Sequence, residues 1–218
     1  MGMTYLERLG LTQEVAEPQG ESLLIGLTGP PGVGKSFSGR FLDSLNPADI
    51  APEFANTDLT KARTLTMRYL LARHGYRGRT HITDLQRYHA EVRRQGEGAD
   101  VLNPVLAIHS SIVIIDALRH PDDVGHFKDM GGYVVGLVGP LEMCKERFMA
   151  DRTDVKHTEV AGSDEAWEQA AQEIDAINKC LDLADVVVGV EQPKNAMLDD
   201  IRQAVADLYV PVLSSVHN

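Results

Sequence analysis

Short, almost wholly apolar runs alternate along this chain with longer stretches in which apolar residues recur every three or four positions. The first pattern is that of a strand buried on both faces, the second that of an amphipathic helix. SLLIGLT (22–28) reads as the first strand, with a helix after it running to Phe41. A second, short strand is predicted near 50–56, where Pro52 confines it to an edge. From 59 to 106 the spacing predicts two or three helices, broken at 74–79 and 96–98. SIVIIDA (111–117) is the most apolar run and reads as a central strand, with Asp116 at its end. Helix 121–130, strand 132–138 and helix 141–152 come next, then a polar stretch, a helix over 165–183, strand ADVVVGV (184–190) and a closing helix over 195–209.

Strand and helix in strict alternation imply an α/β fold: a mostly parallel sheet with helices on both faces, in three layers. Crossovers between such strands are right-handed, so a ligand belongs at the C-terminal edge of the sheet. One domain over 21–210 accounts for the pattern, with an appended segment at 1–20 and a tail at 211–218.

Composition narrows the class. A hydrophobic share of 43% suits a globular core, and the longest apolar runs are too short to span a bilayer. The start, MGMTYLERLG, lacks the basic cluster and apolar stretch of a signal peptide, which leads to the expectation of a cytoplasmic protein. Cys144 and Cys180 fall in helical stretches and read as reduced, buried thiols. The net charge of −11 argues against general nucleic-acid binding, and no membrane association is expected. The charge is uneven, however: from Lys61 to Arg94 there are nine Lys/Arg against two acids, Asp84 and Glu91. Such an island is either a solvated helical face or a cradle for a phosphate-bearing ligand.

The chemistry begins at GPPGVGKS, which carries G-x-x-x-x-G-K-S directly after a strand and at the start of a helix. In that context Gly29, Pro30, Pro31, Gly32, Val33, Gly34, Lys35, Ser36 and Phe37 form a nucleotide phosphate loop. Its glycines turn backbone N–H groups inward, toward the helix N-terminus where anions are favoured. Lys35 reaches the outer phosphates, and Ser36 with Asp116 forms the magnesium site, the carboxylate acting through water.

The residues just after Asp116 separate the possible users of such a loop. Motor ATPases commonly place a water-activating Glu next; here the residue is Ala117. A switch GTPase needs N-K-x-D, and the nearest match, NKCLD, has one residue too many. Arg119 lies three residues beyond the aspartate, where its planar guanidinium is placed to bind phosphate oxygens.

The segment DALRHPDDV resembles the D-x-[IVL]-R-x-P-x-[DE]-V pattern of the nucleoside monophosphate kinase and dephospho-coenzyme A kinase group of P-loop kinases. The likeness extends over about 23–208, including the closing LADVVV, although Gly189-Val190 stands where that group usually has an Asn. The resemblance implies a P-loop NTPase fold with a helical acceptor-binding insertion at 59–106 and a short lid at 147–164. It also implies ATP and Mg2+, and transfer of the γ-phosphate to a small phosphorylated acceptor. A nucleoside or deoxynucleoside monophosphate is the first expectation and dephospho-coenzyme A the alternative. A nucleotide-binding regulator or an oligomeric ATPase without an acceptor is the alternative of another class.

By the same resemblance Asp58, Arg63, Gln86, Arg93 and Arg94 are candidate acceptor-binding residues, all in or beside the basic island. Arg147 and Arg152, with Lys156 behind them, are the candidates for closing the lid on the transferring phosphate. Lys35, Asp116 and Arg119 complete the candidate catalytic set.

Overall fold

In the computed structural model the described residues are 23–50, 63–77, 82–108, 110, 112–150 and 164–216. Among these residues five strands, β1 (Leu23–Thr28), β2 (Arg63–Leu65), β3 (Ile112–Leu118), β4 (Tyr133–Val138) and β5 (Val186–Gly189), form one sheet in the order β2-β3-β1-β4-β5. Every neighbouring pair is parallel. The two most apolar strands, β1 and β3, are buried at every position and lie side by side near the middle.

The α-helices among the described residues are α1 (Lys35–Ser44), α2 (Pro47–Ile50), α3 (Met67–Arg73), α4 (Ile82–Arg94), α5 (Pro121–Asp129), α6 (Leu141–Ala150), α7 (Asp164–Ala171), α8 (Ile174–Asp182) and α9 (Lys194–Val216). Side chains of a strand alternate between faces, and the alternation divides the interior in two. Leu23, Ile25, Leu27, Ile112, Ile114, Val135 and Leu137 pack with Leu42 of α1, Cys144 of α6 and the Met197–Val205 stripe of α9. Leu24, Val113, Ile115 and Val134 pack with Leu70 and Leu71 of α3, Val92 of α4, Val124 and Phe127 of α5 and Cys180 of α8. The predicted three-layer α/β arrangement is therefore the observed one.

Phe127 shows how closely the second layer sits. A methyl group added to Gly26 in β1 would collide with Leu118 and with the Phe127 ring. Burying a side chain of that size is worth about 1.5–3 kcal/mol, and the bare strand at Gly26 makes the room. Both cysteines are buried free thiols, as the sequence indicates.

Several elements differ from the sequence reading. Pro47–Ile50 closes as a helical turn, with the Asp49 carboxylate accepting from the Asn46 backbone N–H at 3.0 Å; residues 51–56 of the expected second strand lie outside the described set. Among the described residues the second strand is β2, so Arg63, expected on a helix, lies on an edge strand within the expected 59–106 insertion. Strand β3 continues one residue past the expected Ala117, because Leu118 is itself buried against the sheet. The single helix expected at 165–183 is two, α7 and α8, and the closing helix α9 runs through to Val216, into the expected tail.

Candidate functional site

The phosphate loop joins the C-terminal end of β1 to α1, in the middle of the sheet. All three of its glycines have positive φ, and Gly32 and Gly34 show what requires them. Gly32 has φ +74°, and a Cβ there would run into the Cys144 carbonyl of α6. Gly34 holds the N-cap of α1 at φ 110°, a left-handed conformation that side-chain-bearing residues seldom adopt. The loop thus rests directly on α6 while its backbone turns into the helix start.

Lys35 is the first residue of α1 and is only 7% exposed. Its ammonium donates to the carbonyls of Gly29 at 2.6 Å and Pro30 at 2.8 Å, closing the loop on itself. Burial pushes this amine down to about 7; the Arg119 cation adds to the shift and Asp116 opposes it.

The next residue, Ser36, donates its hydroxyl to Asp116 Oδ2 at 3.1 Å. Asp116 is buried in β3, the strand beside β1, and the parallel register brings the two residues together. Magnesium takes six oxygens at about 2.0–2.1 Å, which sets adjacent oxygens about 2.9 Å apart. Two hard oxygens at the observed spacing fit that ion. Among the described residues no group of three or more His, Cys, Asp or Glu is placed to hold a metal alone. Magnesium commonly uses one or two protein oxygens and takes the rest from phosphates and water.

Arg119 comes directly after β3 and donates from Nη1 to Glu173 Oε2 at 3.0 Å. Glu173 stands at the N-cap of α8, and nothing in the sequence singles it out: the Gln172–Glu173 break carries neither Gly nor Pro. Phe37 packs in the first core, with Lys194 Nζ 4.1 Å from its ring centre. Arg147 is on α6, and its hydrogen bond goes to the Val190 carbonyl beyond β5, at 3.4 Å. A cleft of about 570 Å³ opens at the ends of β4 and β5, between Val138, Gly139, Gly189, Glu191, Gln192 and Asp200. Asp58, Arg152, Lys156 and positions 151–163 of the expected lid lie outside the described residues.

The basic island separates into distinct parts. Arg94 is exposed and forks onto Glu91, with Nη2 at 2.6 Å and Nε at 2.9 Å. Arg93, one residue earlier, points the other way: Nη1 lies 3.2 Å from Asp123 Oδ2 and 3.2 Å from His89 Nδ1. Asp123 is 2% exposed, and burial pushes its carboxyl up to about 6 against the pull of Arg93. Burial and the same arginine push His89 down to about 3. The bridge fastens α4 to the first turn of α5, five residues after β3. Gln86 is half-buried on α4, and Arg63 half-buried on β2. The structure therefore brings together Lys35, Ser36, Asp116 and Arg119, while Arg93 and Arg94 each face an acid of this chain.

No helix among the described residues is long and apolar enough to cross a membrane. No protein family matches the chain, and no curated protein does. Solved structures do match in three dimensions. The shikimate kinase from Bacteroides thetaiotaomicron superposes with a TM-score of 0.55 at 16% identity, over 85% of this chain and 97% of that one. TT1252 from Thermus thermophilus superposes with a TM-score of 0.53 at 16% identity, over 86% and 98%. These likenesses show the fold: among the described residues, a parallel five-stranded sheet wrapped by helices.

Proposed function

We propose that this protein is a P-loop phosphotransferase that moves the γ-phosphate of ATP to a small phosphorylated acceptor, in the first place a nucleoside or deoxynucleoside monophosphate. The observation that carries this reading is the Ser36–Asp116 contact at 3.1 Å beside a buried Lys35, with Arg119 three residues further on. The loop N–H groups and the N-terminus of α1 hold the donor phosphates. Lys35 exchanges its loop carbonyls for phosphate oxygens, and Ser36 with Asp116 would hold magnesium. That ion, when bound, neutralises charge between the outer phosphates. Arg119 faces the transferring group, where guanidinium contacts to spread negative charge matter more than bond-making chemistry. The cleft at the ends of β4 and β5 is the room for the donor nucleoside. The acceptor belongs to the α3–α4 side, with Gln86 and Arg63 as candidates; Asp58 and the lid arginines Arg147 and Arg152 keep their proposed roles.

Two observations widen the acceptor panel. Arg93 and Arg94, the expected monophosphate ligands, are paired to Asp123 and Glu91, and the first structural relative is by name a shikimate kinase. The test is magnesium-dependent ADP release from ATP with ribo- and deoxynucleoside monophosphates, dephospho-coenzyme A and shikimate, each against a no-acceptor control. Release that requires one member supports transfer. Release at the same rate without any acceptor overturns it.

A further inference from the structure

Glu173 occupies a helix N-cap, a position usually held by a residue whose side chain caps its own helix. Its side chain makes no such cap. The carboxylate is instead turned onto Arg119, 54 residues earlier in the chain, at 3.0 Å. Both side chains are about three-quarters buried, at 24% and 26% exposure, so this is not a solvated surface pair.

The two residues have different supports. Arg119 is on a short connection, one residue past the end of β3 and two before α5. Glu173 starts a helix whose Ile177 and Cys180 are 1% and 0% exposed, so its base is fixed in the interior. A long arginine on a connection loses much rotamer freedom if it must point one way, and a carboxylate on a rigid helix supplies that direction. Only Nη1 of Arg119 donates to Glu173. The guanidinium carries five N–H donors, and among the described residues Glu173 is the one acceptor it meets, so its other edge is open to phosphate oxygens there. Both charges also act on the Lys35 amine, Arg119 lowering and Glu173 raising its proton affinity, which places the pair within electrostatic reach of the loop.

We propose that Glu173 is a positioning residue for phosphoryl transfer: by holding one edge of Arg119 from the N-cap of α8, it presents the other edge to the transferring phosphate. This rests on the phosphotransferase reading above. It assigns a part to a residue outside the phosphate loop and couples α8, immediately after the expected lid and α7, to the reacting group.

The test needs no knowledge of the acceptor. Fluorescent mant-ADP is titrated with magnesium, with and without aluminium fluoride, which mimics the phosphoryl group in flight. The proteins are wild type, Arg119→Ala, Glu173→Ala and the double variant. The tightening produced by fluoroaluminate is expected to fall roughly tenfold to a hundredfold in Glu173→Ala, the scale of a misplaced catalytic group. The double variant is expected to lose no more than Arg119→Ala alone, because Glu173 acts only through Arg119. Glu173→Asp is expected to recover part of the loss and the uncharged Glu173→Gln less, with unchanged circular dichroism spectra excluding misfolding. Wild-type tightening in Glu173→Ala, or a loss that adds to that of Arg119→Ala, overturns the proposal while leaving the phosphotransferase reading intact. Failure of wild type to bind mant-ADP at all overturns that reading, and the proposal with it.

Discussion

Ser36 Oγ and Asp116 Oδ2 lie 3.1 Å apart although 80 residues separate them in the chain. One comes from the start of α1 and the other from β3, and each is fixed by the burial of its own element. The spacing suits neighbouring oxygens around magnesium, and removing the charge without changing the shape tests it. Asp116→Asn is expected to lower the magnesium-dependent part of nucleotide affinity about tenfold to a hundredfold, as for other residues that orient a metal's water shell. Calorimetric titrations with magnesium and with a chelator measure that difference; an equal magnesium effect in both proteins would remove Asp116 from the site.

Lys35→Ala is expected to abolish turnover while the far-ultraviolet spectrum stays native. Lys35→Arg is expected to fail as well, because the ammonium sits in a space shaped by two carbonyls at 2.6 and 2.8 Å, where a planar fork is a poor substitute. Full activity in the alanine variant would sink the phosphate-loop assignment.

Arg93 and Arg94 are neighbours with opposite situations, and their substitutions are expected to differ in kind. Arg93→Ala leaves the 1%-exposed Asp123 carboxylate facing no cation and is expected to cost about 3 kcal/mol, the low end for breaking a buried pair. Arg94→Ala removes an exposed contact with Glu91 and is expected to leave the melting temperature unmoved. Denaturant unfolding of both variants checks this. If Arg94 holds the acceptor, its loss raises the acceptor Michaelis constant and not that for ATP.

The buried His89–Asp123 pair sets opposed pH dependences. His89 is held neutral, down at about 3 from 6.5, so its stabilisation is full above pH 6.5 and is lost as pH falls toward 3. Asp123 is raised from 3.8 to about 6, so its stabilisation is full below pH 3.8 and is lost as pH rises through 6. Between those limits the two run against each other and the cluster's net effect is small. Asp123→Asn is therefore expected to lose stability more steeply than wild type on acidification from pH 6.5 to 4, and His89→Gln to gain. Unfolding midpoints across that range test the signs; parallel curves for all three proteins would contradict the assignment.

Local features are the ones legible in the sequence. The phosphate loop announces itself in eight consecutive residues, and Asp116 and Arg119 are placed by an apolar run that can only be a central strand. Arg119's partner cannot be read this way, since Glu173 is far off in sequence and its helix breaks without a Gly or Pro. Strand β2 spans three residues, Arg63–Leu65, too few for an alternation to show against the helical pattern around it. Nor does spacing distinguish Arg93 from Arg94: the two share a helix, and only the position of α5 decides which one meets a buried acid. The closing helix, expected to end at Tyr209, continues as α9 to Val216.

The fate of the γ-phosphate tests the central claim most directly. With ATP, magnesium and the acceptor panel present, phosphorus NMR tracks where that group goes. Transfer predicts a new phosphoryl signal on one acceptor, appearing in step with ADP and lost in Lys35→Ala. Accumulation of inorganic phosphate alone, at a rate indifferent to every acceptor, would mean that the loop serves hydrolysis and would contradict the account.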